Sequence, residues 1–561
     1  MRVTIALILS PMVAAACTGE STPSTSTTSS QPSSTPSTVS SPTSVTSSPT
    51  STTPPNAVST SELTCWTAEA DGSASDVGFA DVTGDVGLVD PLKGMHGHAA
   101  IWTDINHDDH PDLYVGTFAD RPTEVYLQRG AGERAPDRLL IWADGRFEAD
   151  ETLPIVFSRS SGGVGADLDN DGDLDLVVSR NVTAGGTPTE ILENDDGTMR
   201  SVFDSGVPND LGGRSVAALD YDGDGLLDLF VAEDRRAGGE SVLLHNDGDL
   251  RFSETTGDVG IPPEVHGLGV VAADLNGDTW TDIFVAGSNR LFLSDGAGSF
   301  SEADSGVFEW ETFGPEDDVA GVSVADVDRD GHLDLAVGHH FNSTIENGTS
   351  VQVRLYLNDG DGRFADVTDA VGLTPIPTKA PHVELNDFNN DGWPDLLTSA
   401  SAGDGPAIFI HRGLVDGIPG FETPEGLGEP QHWIAAPTAD FDRDGRLDVF
   451  LLEWEPALPS LLLRNVTEGG NWLEVSVDGV EGLGVGWRVE VIADEVLIGA
   501  REITVTQGYA AGVLPVAHFG LGAVDVVDVW LVPPAGGETV IITGVTANQH
   551  IRWPAGCVSG P

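Results

Sequence analysis

A nine-residue pattern, D-x-D/N-x-D-G-x-x-D, recurs seven times in this chain and limits its fold more than any other feature. It begins at Asp104, Asp167, Asp220, Asp274, Asp326, Asp387 and Asp440, and successive starts lie 63, 53, 54, 52, 61 and 53 residues apart. That period suits one four-stranded unit, which cannot bury both of its faces alone and so must stack on its copies. Small or β-branched residues precede each marker, as in Val216-Ala217-Ala218-Leu219, and suit a crowded innermost strand. An apolar strand follows (Leu174 to Val178, Leu227 to Ala232), then a third ending near a turn (Val242 to Asn246, Leu355 to Asn358), and a fourth near Phe252, Phe300 or Phe364. These units predict an all-β chain whose residues 65–470 form a seven-bladed β-propeller, because a closed ring protects sheet edges. Gly78 to Thr83 matches the fourth-strand segment at Phe364 to Thr368, so the N-terminal segment is expected to complete the last blade. Residues 471–561 carry a different run of strands, Arg501 to Thr506 among them, and predict a small β-domain with its own core.

Within each marker, side chains at positions 1, 3, 5 and 9 converge on one point and Gly at 6 permits the sharp turn. The ligand sets are Asp104, Asn106, Asp108 and Asp112; Asp167, Asp169, Asp171 and Asp175; Asp220, Asp222, Asp224 and Asp228; Asp274, Asn276, Asp278 and Asp282; Asp326, Asp328, Asp330 and Asp334; Asp387, Asn389, Asp391 and Asp395; and Asp440, Asp442, Asp444 and Asp448. Hard oxygen donors in this number favour Ca²⁺ over Zn²⁺, for up to seven ions. Without a cation such carboxylates repel one another. The first loop has Asp109 at the glycine position and the fourth has β-branched Thr279, so the fourth is expected to hold metal least well.

Lys and Arg number 26 against 89 Asp and Glu, a formal net charge of −63. Nucleic acid and anionic lipid surfaces would be repelled. Arg2, the apolar stretch Val3 to Leu9 and Ala14-Ala15-Ala16 before Cys17 read as a signal peptide over 1–16, with Cys17 placed as in a lipoprotein and lipidated. Residues 17–64, nearly all Ser, Thr and Pro, form a flexible tether, so the only membrane contact expected is that lipid anchor, at a bacterial cell surface. Cys65 and Cys557 remain and are expected to form a disulfide. Sequons at Asn181, Asn342, Asn347 and Asn465 would matter only in a eukaryotic secretory pathway.

The repeat resembles the FG-GAP/VCBS propeller repeats of integrin α-subunit heads, through these loops and variants such as Asn358 to Phe364. The tail resembles the ASPIC/UnbV domain, through Asn471-Trp472-Leu473, Gly508-Tyr509 and His518-Phe519-Gly520-Leu521-Gly522. The pairing is similar to the cartilage acidic protein 1 family. That resemblance implies loops that stabilise the blades and a function in binding or adhesion, and leaves the tail's role open.

The strand entering each loop should line the channel, so residues five to eight positions earlier sit at its far end. These are His98, Arg159, Arg214, His266, Asp318, His382 and His432, one per repeat. Together they would make a positive focus for a carboxylate, a sulfated glycan or a metal, on an extracellular glycan or protein as partner, or each would simply bond a neighbouring loop and close the channel. The chain has no G-x-S-x-G elbow, H-E-x-x-H or phosphate-binding loop. His96-Gly97-His98 and His339-His340 are candidate metal ligands, and a carbohydrate-active enzyme or quinone-type dehydrogenase at the channel mouth stays open as an alternative.

Overall fold

The computed structural model describes residues 63–554, apart from 69, 71–76, 183–186, 235–238, 305, 310–317, 342–351, 377, 403–404 and 425–431. The expected signal peptide, Cys17, nearly all of the tether and Cys557 lie outside the described residues, as do Asn342 and Asn347. Among the described residues up to Asn465 the fold is a β-propeller of seven sheets, each of four antiparallel strands, the first extended by a short parallel strand from the tail. Their innermost strands are Gly97–Thr103, Ser160–Ala166, Ser215–Leu219, Gly267–Ala273, Asp318–Ala325, Val383–Asn386 and Thr438–Ala439, each ending where a marker begins. The small residues there are required by closeness. A Cβ on Gly162 would lie 1.8 Å from the Arg214 carbonyl oxygen of the next sheet, and one on Gly269 would lie 2.0 Å from that of Ala320.

Apolar residues on facing sides of neighbouring sheets form one core after another around the ring. Ile101, Tyr114 and Leu139 of the first sheet meet Leu176, Val178 and Leu192 of the second. Phe450 and Leu462 of the seventh pack on Trp102, Leu113 and Val115 of the first. The seventh sheet takes its outer strand from the N-terminal segment: Phe79–Asp81 pairs with Leu461–Asn465, Phe79 opposite Asn465. Closure therefore joins the two ends of the repeat region through hydrogen bonds and a shared core.

The tail forms two four-stranded sheets around one core of Leu473, Val475, Val489, Val491, Phe519, Val529, Leu531 and Ile551. Two expectations change here. Residues 65–67, expected at the start of the propeller, belong to the strand Thr64–Thr67, which pairs with Gln549–Trp553 of the tail, because Leu63 is buried in the tail's core. The strand expected at Arg501 to Thr506 is Val496–Glu502, and the chain then leaves the domain. It leaves because Val505 and Ala511 are buried inside the propeller, against its second and third sheets and its seventh and first respectively.

Residues 505–513 form a hairpin whose ends meet through Val513 N–H and the Val505 carbonyl (3.0 Å), and it passes down the channel. Gly508 exchanges two backbone hydrogen bonds with Val322 (2.8 and 3.1 Å), Ala511–Gly512 pairs with Ala100 and Ile101, and the Thr506 hydroxyl donates to the Val216 carbonyl (2.5 Å). Gly508 is required at the tip: its φ is 70°, and a Cβ would lie 2.3 Å from the His382 ring. The tail is thus both a second core and the plug of the first.

Candidate functional site

Two places concentrate polar chemistry, one at each end of the channel. At the loop end the seven markers fold alike. The position-9 carboxylate, at most 2% exposed in every loop, accepts one backbone N–H from position 2 and one from the third strand. For Asp175 these are Leu168 (3.2 Å) and Asn194 (2.8 Å); for Asp228, Tyr221 (3.2 Å) and Asn246 (2.8 Å). The position-1 carboxylate accepts from position 6, which is left-handed in all seven loops, including Asp109 (φ 66°) and Thr279 (φ 73°). Position 9 therefore ties each loop to its sheet as well as facing the other carboxylates.

In the second, third, fifth and seventh loops, carboxylate oxygens of three Asp residues lie within 4.8 Å of one another. These are Asp167, Asp169 and Asp171; Asp220, Asp222 and Asp224; Asp326, Asp328 and Asp334; and Asp440, Asp442 and Asp448. His245 approaches Asp222 and Asp228 in the third. In the first, fourth and sixth loops the Asn amide at position 3 donates to the carboxylate at position 5, at 3.0 to 3.1 Å. The donors fit a hard cation. One oxygen each of Asp167, Asp169, Asp326 and Asp442 is buried without any hydrogen bond, and such an orphan costs free energy unless a cation takes it. Burial, with the neighbouring carboxylates, pushes Asp175, Asp228 and Asp282 up to about 8 and Asp167 up to about 6.

Position 4 has a role that sequence reasoning missed. Asn170 donates to the Gly225 carbonyl at position 6 of the next loop (2.8 Å), Asn390 does the same to Gly445 (2.8 Å), Arg329 bonds Gly392, and Arg443 closes the circle onto Asp109 (3.1 Å). The buried third-strand Asn side chains stitch one level deeper. Asn194, Asn246, Asn358 and Asn465 each donate to the position-2 carbonyl of the preceding loop, at 2.8 to 2.9 Å. Asn465 is thereby closed to glycosylation, and Asn181 is only 6% exposed.

The tail sits on this end and touches every loop. Arg552 pairs with Asp109, and Gly482 N–H donates to Asn170 (2.8 Å). Glu481 lies against Gly225, and Glu502 accepts from Asp274 N–H (2.9 Å). Arg488 bonds the Gly331 carbonyl, His518 bonds the Asn390 side chain (2.9 Å), and Trp472 lies over Gly445.

At the other end the plug's Tyr509 meets two of the predicted residues. Its backbone N–H (3.1 Å) and carbonyl (3.3 Å) both lie within hydrogen-bond distance of His382 Nδ1, and His382 Nε2 lies 3.1 Å from Glu384. Its hydroxyl lies 3.5 Å from His98 Nε2, which also accepts from Arg214 (3.2 Å), while His98 Nδ1 donates to the Ser161 carbonyl (3.1 Å). Burial, with Arg214 beside it, holds His98 well below the usual histidine range, so the ring is neutral. It stacks on Phe118 at 4.3 Å, and Arg159 and Arg214 lie 5.7 and 5.9 Å from that same ring. The structure thus gathers His98, Arg159, Arg214 and His382.

Among the described residues, the contacts of His266 and His432 lie elsewhere, and Asp318 is placed by its backbone alone. His432 bridges Ala400 and lies beside Lys379, Asp318 contributes backbone pairing to Phe341, and His266 accepts Ser288 N–H through its carbonyl. His96, one of the candidate metal ligands, has both ring nitrogens engaged, by the Trp454 carbonyl and by Arg121 (2.8 Å). His339 pairs through its backbone with Ala380, and His340 lies 5.4 Å from the Tyr509 ring.

Comparison with known proteins follows the loops. The FG-GAP-like repeat family matches residues 167–231, 220–285, 274–337, 344–398 and 387–451. Five FG-GAP-like repeats lie within residues 167–451. It is similar to cartilage acidic protein 1 of Mus musculus, 27% identical over 476 residues that cover 77% of this chain and 70% of that one. Integrin alpha-V of Gallus gallus is 24% identical over 237 residues, 36% of this chain and 21% of that one. Among solved structures, the exotype rhamnogalacturonan lyase YesX covers 71% of this chain and 72% of its own at 14% identity and a TM-score of 0.38. FG-GAP repeats and a C-terminal domain thus stand together here, as the sequence motifs suggested.

Proposed function

We propose that this FG-GAP propeller is an exported, surface-anchored binding module that uses Ca²⁺ as structural cement and takes an extracellular protein or glycan at the channel mouth opposite the loops. The observation that carries this reading is the tail's coverage of the loop end, which leaves the Tyr509 end as the face for a partner. The similarity to a cartilage acidic protein and an integrin subunit supports an extracellular setting and a protein ligand. The three-carboxylate clusters and their orphaned oxygens support calcium, in up to seven loops. Cys65 is disulfide-bonded, and its strand's pairing with Gln549–Trp553 supports Cys557 as the partner. Lipidation of Cys17 and the tether over 17–64 complete the proposal.

The test is an array of extracellular-matrix proteins and glycans probed with the tether-free chain, with and without Ca²⁺. Calcium-dependent capture of a defined ligand is expected. Absence of any capture in calcium overturns the reading.

A further inference from the structure

The residues that depart from the repeat gather at the open mouth. Between the second and third strands of the first sheet, Asp112–Thr117 and Arg138–Ala143, the chain makes an excursion carrying Arg121, Arg129 and Arg134. It accounts for the long first spacing and places three of the chain's 26 cationic side chains within fourteen residues. Arg121 donates to His96 Nε2 at 2.8 Å, and His96, held at about 4 mainly by burial, is a neutral acceptor that does not offset the charge. Its guanidinium lies 5.2 Å from the Trp454 ring and 5.7 Å from the Phe118 ring. Arg129 approaches the same Trp454 at 5.9 Å.

Arg129 and Arg159 have carboxylate partners, Glu455 (2.7 Å) and Asp120 (2.8 Å), whereas Arg121 has no ion pair among the described residues. Burial first, then the repulsion of Arg159 and Arg129, lowers the Arg121 pKa from its ordinary value. An incoming carboxylate would relieve that repulsion and accept two parallel hydrogen bonds from one guanidinium. Leu127, on the same excursion, is 59% exposed, Leu458, four residues after Trp454, 51%, and Phe157, two before Arg159, 42%, with Arg134 lying 4.7 Å over the Phe157 ring.

We propose that Arg121, flanked by Arg129, Arg159 and Trp454, is the anchor point for an acidic, apolar-flanked segment of an extracellular protein. The inference rests on the reading that the open mouth is the binding face, and it names the ligand's chemistry. Arginine and tryptophan side chains at the centre are the composition of protein-binding hot spots. A sugar would set its hydroxyl groups against Leu127 and Leu458, which offer them no hydrogen bonds. The chain's large negative charge does not forbid an acidic partner, since fields are screened over about 8 Å at physiological salt.

The experiment measures fluorescence anisotropy of a fluorescein-labelled peptide of repeated Asp-Leu-Glu-Phe with the tether-free chain in calcium, alongside Arg121→Lys and Arg121→Glu. Arg121→Glu is expected to weaken binding by about tenfold or more, with Arg121→Lys between it and wild type. Thermal unfolding checks that each variant folds. If Arg121→Glu does not fold, the half-buried Arg129→Ala serves instead, with a loss of about threefold expected. Equal binding by wild type and a folded variant overturns the proposal, as does no binding by wild type, or binding of an oligouronate in preference to the peptide. Capture on the array that is unaffected by Arg121→Glu removes this site alone, whereas no capture by wild type removes the wider reading.

Discussion

The two ends of the channel are built by opposite rules. At the loop end one bonding scheme is repeated seven times, so that a carboxylate at position 9 means the same in Asp112 as in Asp448. At the other end the sheets contribute unequally: the first supplies His96, His98, Phe118 and Arg121, the second Arg159, the third Arg214, the sixth His382, and the tail Tyr509. Regularity here builds a scaffold, and departure from a local rule is where functional sites are expected.

The largest effect that could break this contrast is removal of calcium. Each occupied loop adds about 2.7 kcal/mol when the ion is at a hundred times its dissociation constant, so chelation of the four three-carboxylate loops is expected to lower the melting temperature by about 10 °C. A melting temperature unchanged by chelator would mean the loops stand without metal.

Next comes Tyr509→Ala, which empties the plug's tip and is expected to cost about 3–5 kcal/mol of stability while leaving calcium stoichiometry as it was. Denaturant titration and calorimetry on one sample check both halves; a lost calcium ion would show that the two ends are not separable. The smallest expected effect sharpens the ranking within the loop end. Thr279 is β-branched in a left-handed position, so Thr279→Gly is expected to stabilise the protein by about 1 kcal/mol and to tighten the fourth loop's hold on calcium. A destabilised variant would assign Thr279 a favourable contact that outweighs its strain.

Much of the loop end was legible because its determinants are local. The marker, the position-6 turn and the small innermost strands all lie within nine or ten residues of one another, and Gly78 to Thr83 could be matched to another repeat's fourth strand. The position-4 stitches were not legible, because Asn170 and Gly225 are joined only once the sheets are side by side. Nor was the plug, since Arg501 to Thr506 alternates as a strand does and only the channel explains where Val505 is buried. His98, Arg159, Arg214 and His382 were placed by an offset of five to eight residues before the marker, at or next to the start of the inner strand. The same offset does not bring His432, which packs beside Lys379, to them. Arg121 and Trp454 were missed, although the 63-residue spacing and the density of arginine after Phe118 pointed to that stretch.

The pairing of Thr64–Thr67 with Gln549–Trp553 has a mechanical meaning. Any tension carried along the residues before 63 enters the folded molecule at that strand, in the tail, before it can reach the ring of sheets. The strand lies antiparallel along its neighbour, and Cys65 within it is covalently bonded. A tug on the chain before residue 63 would therefore work first against the tail and only afterwards against the sheet closed by Phe79–Asp81.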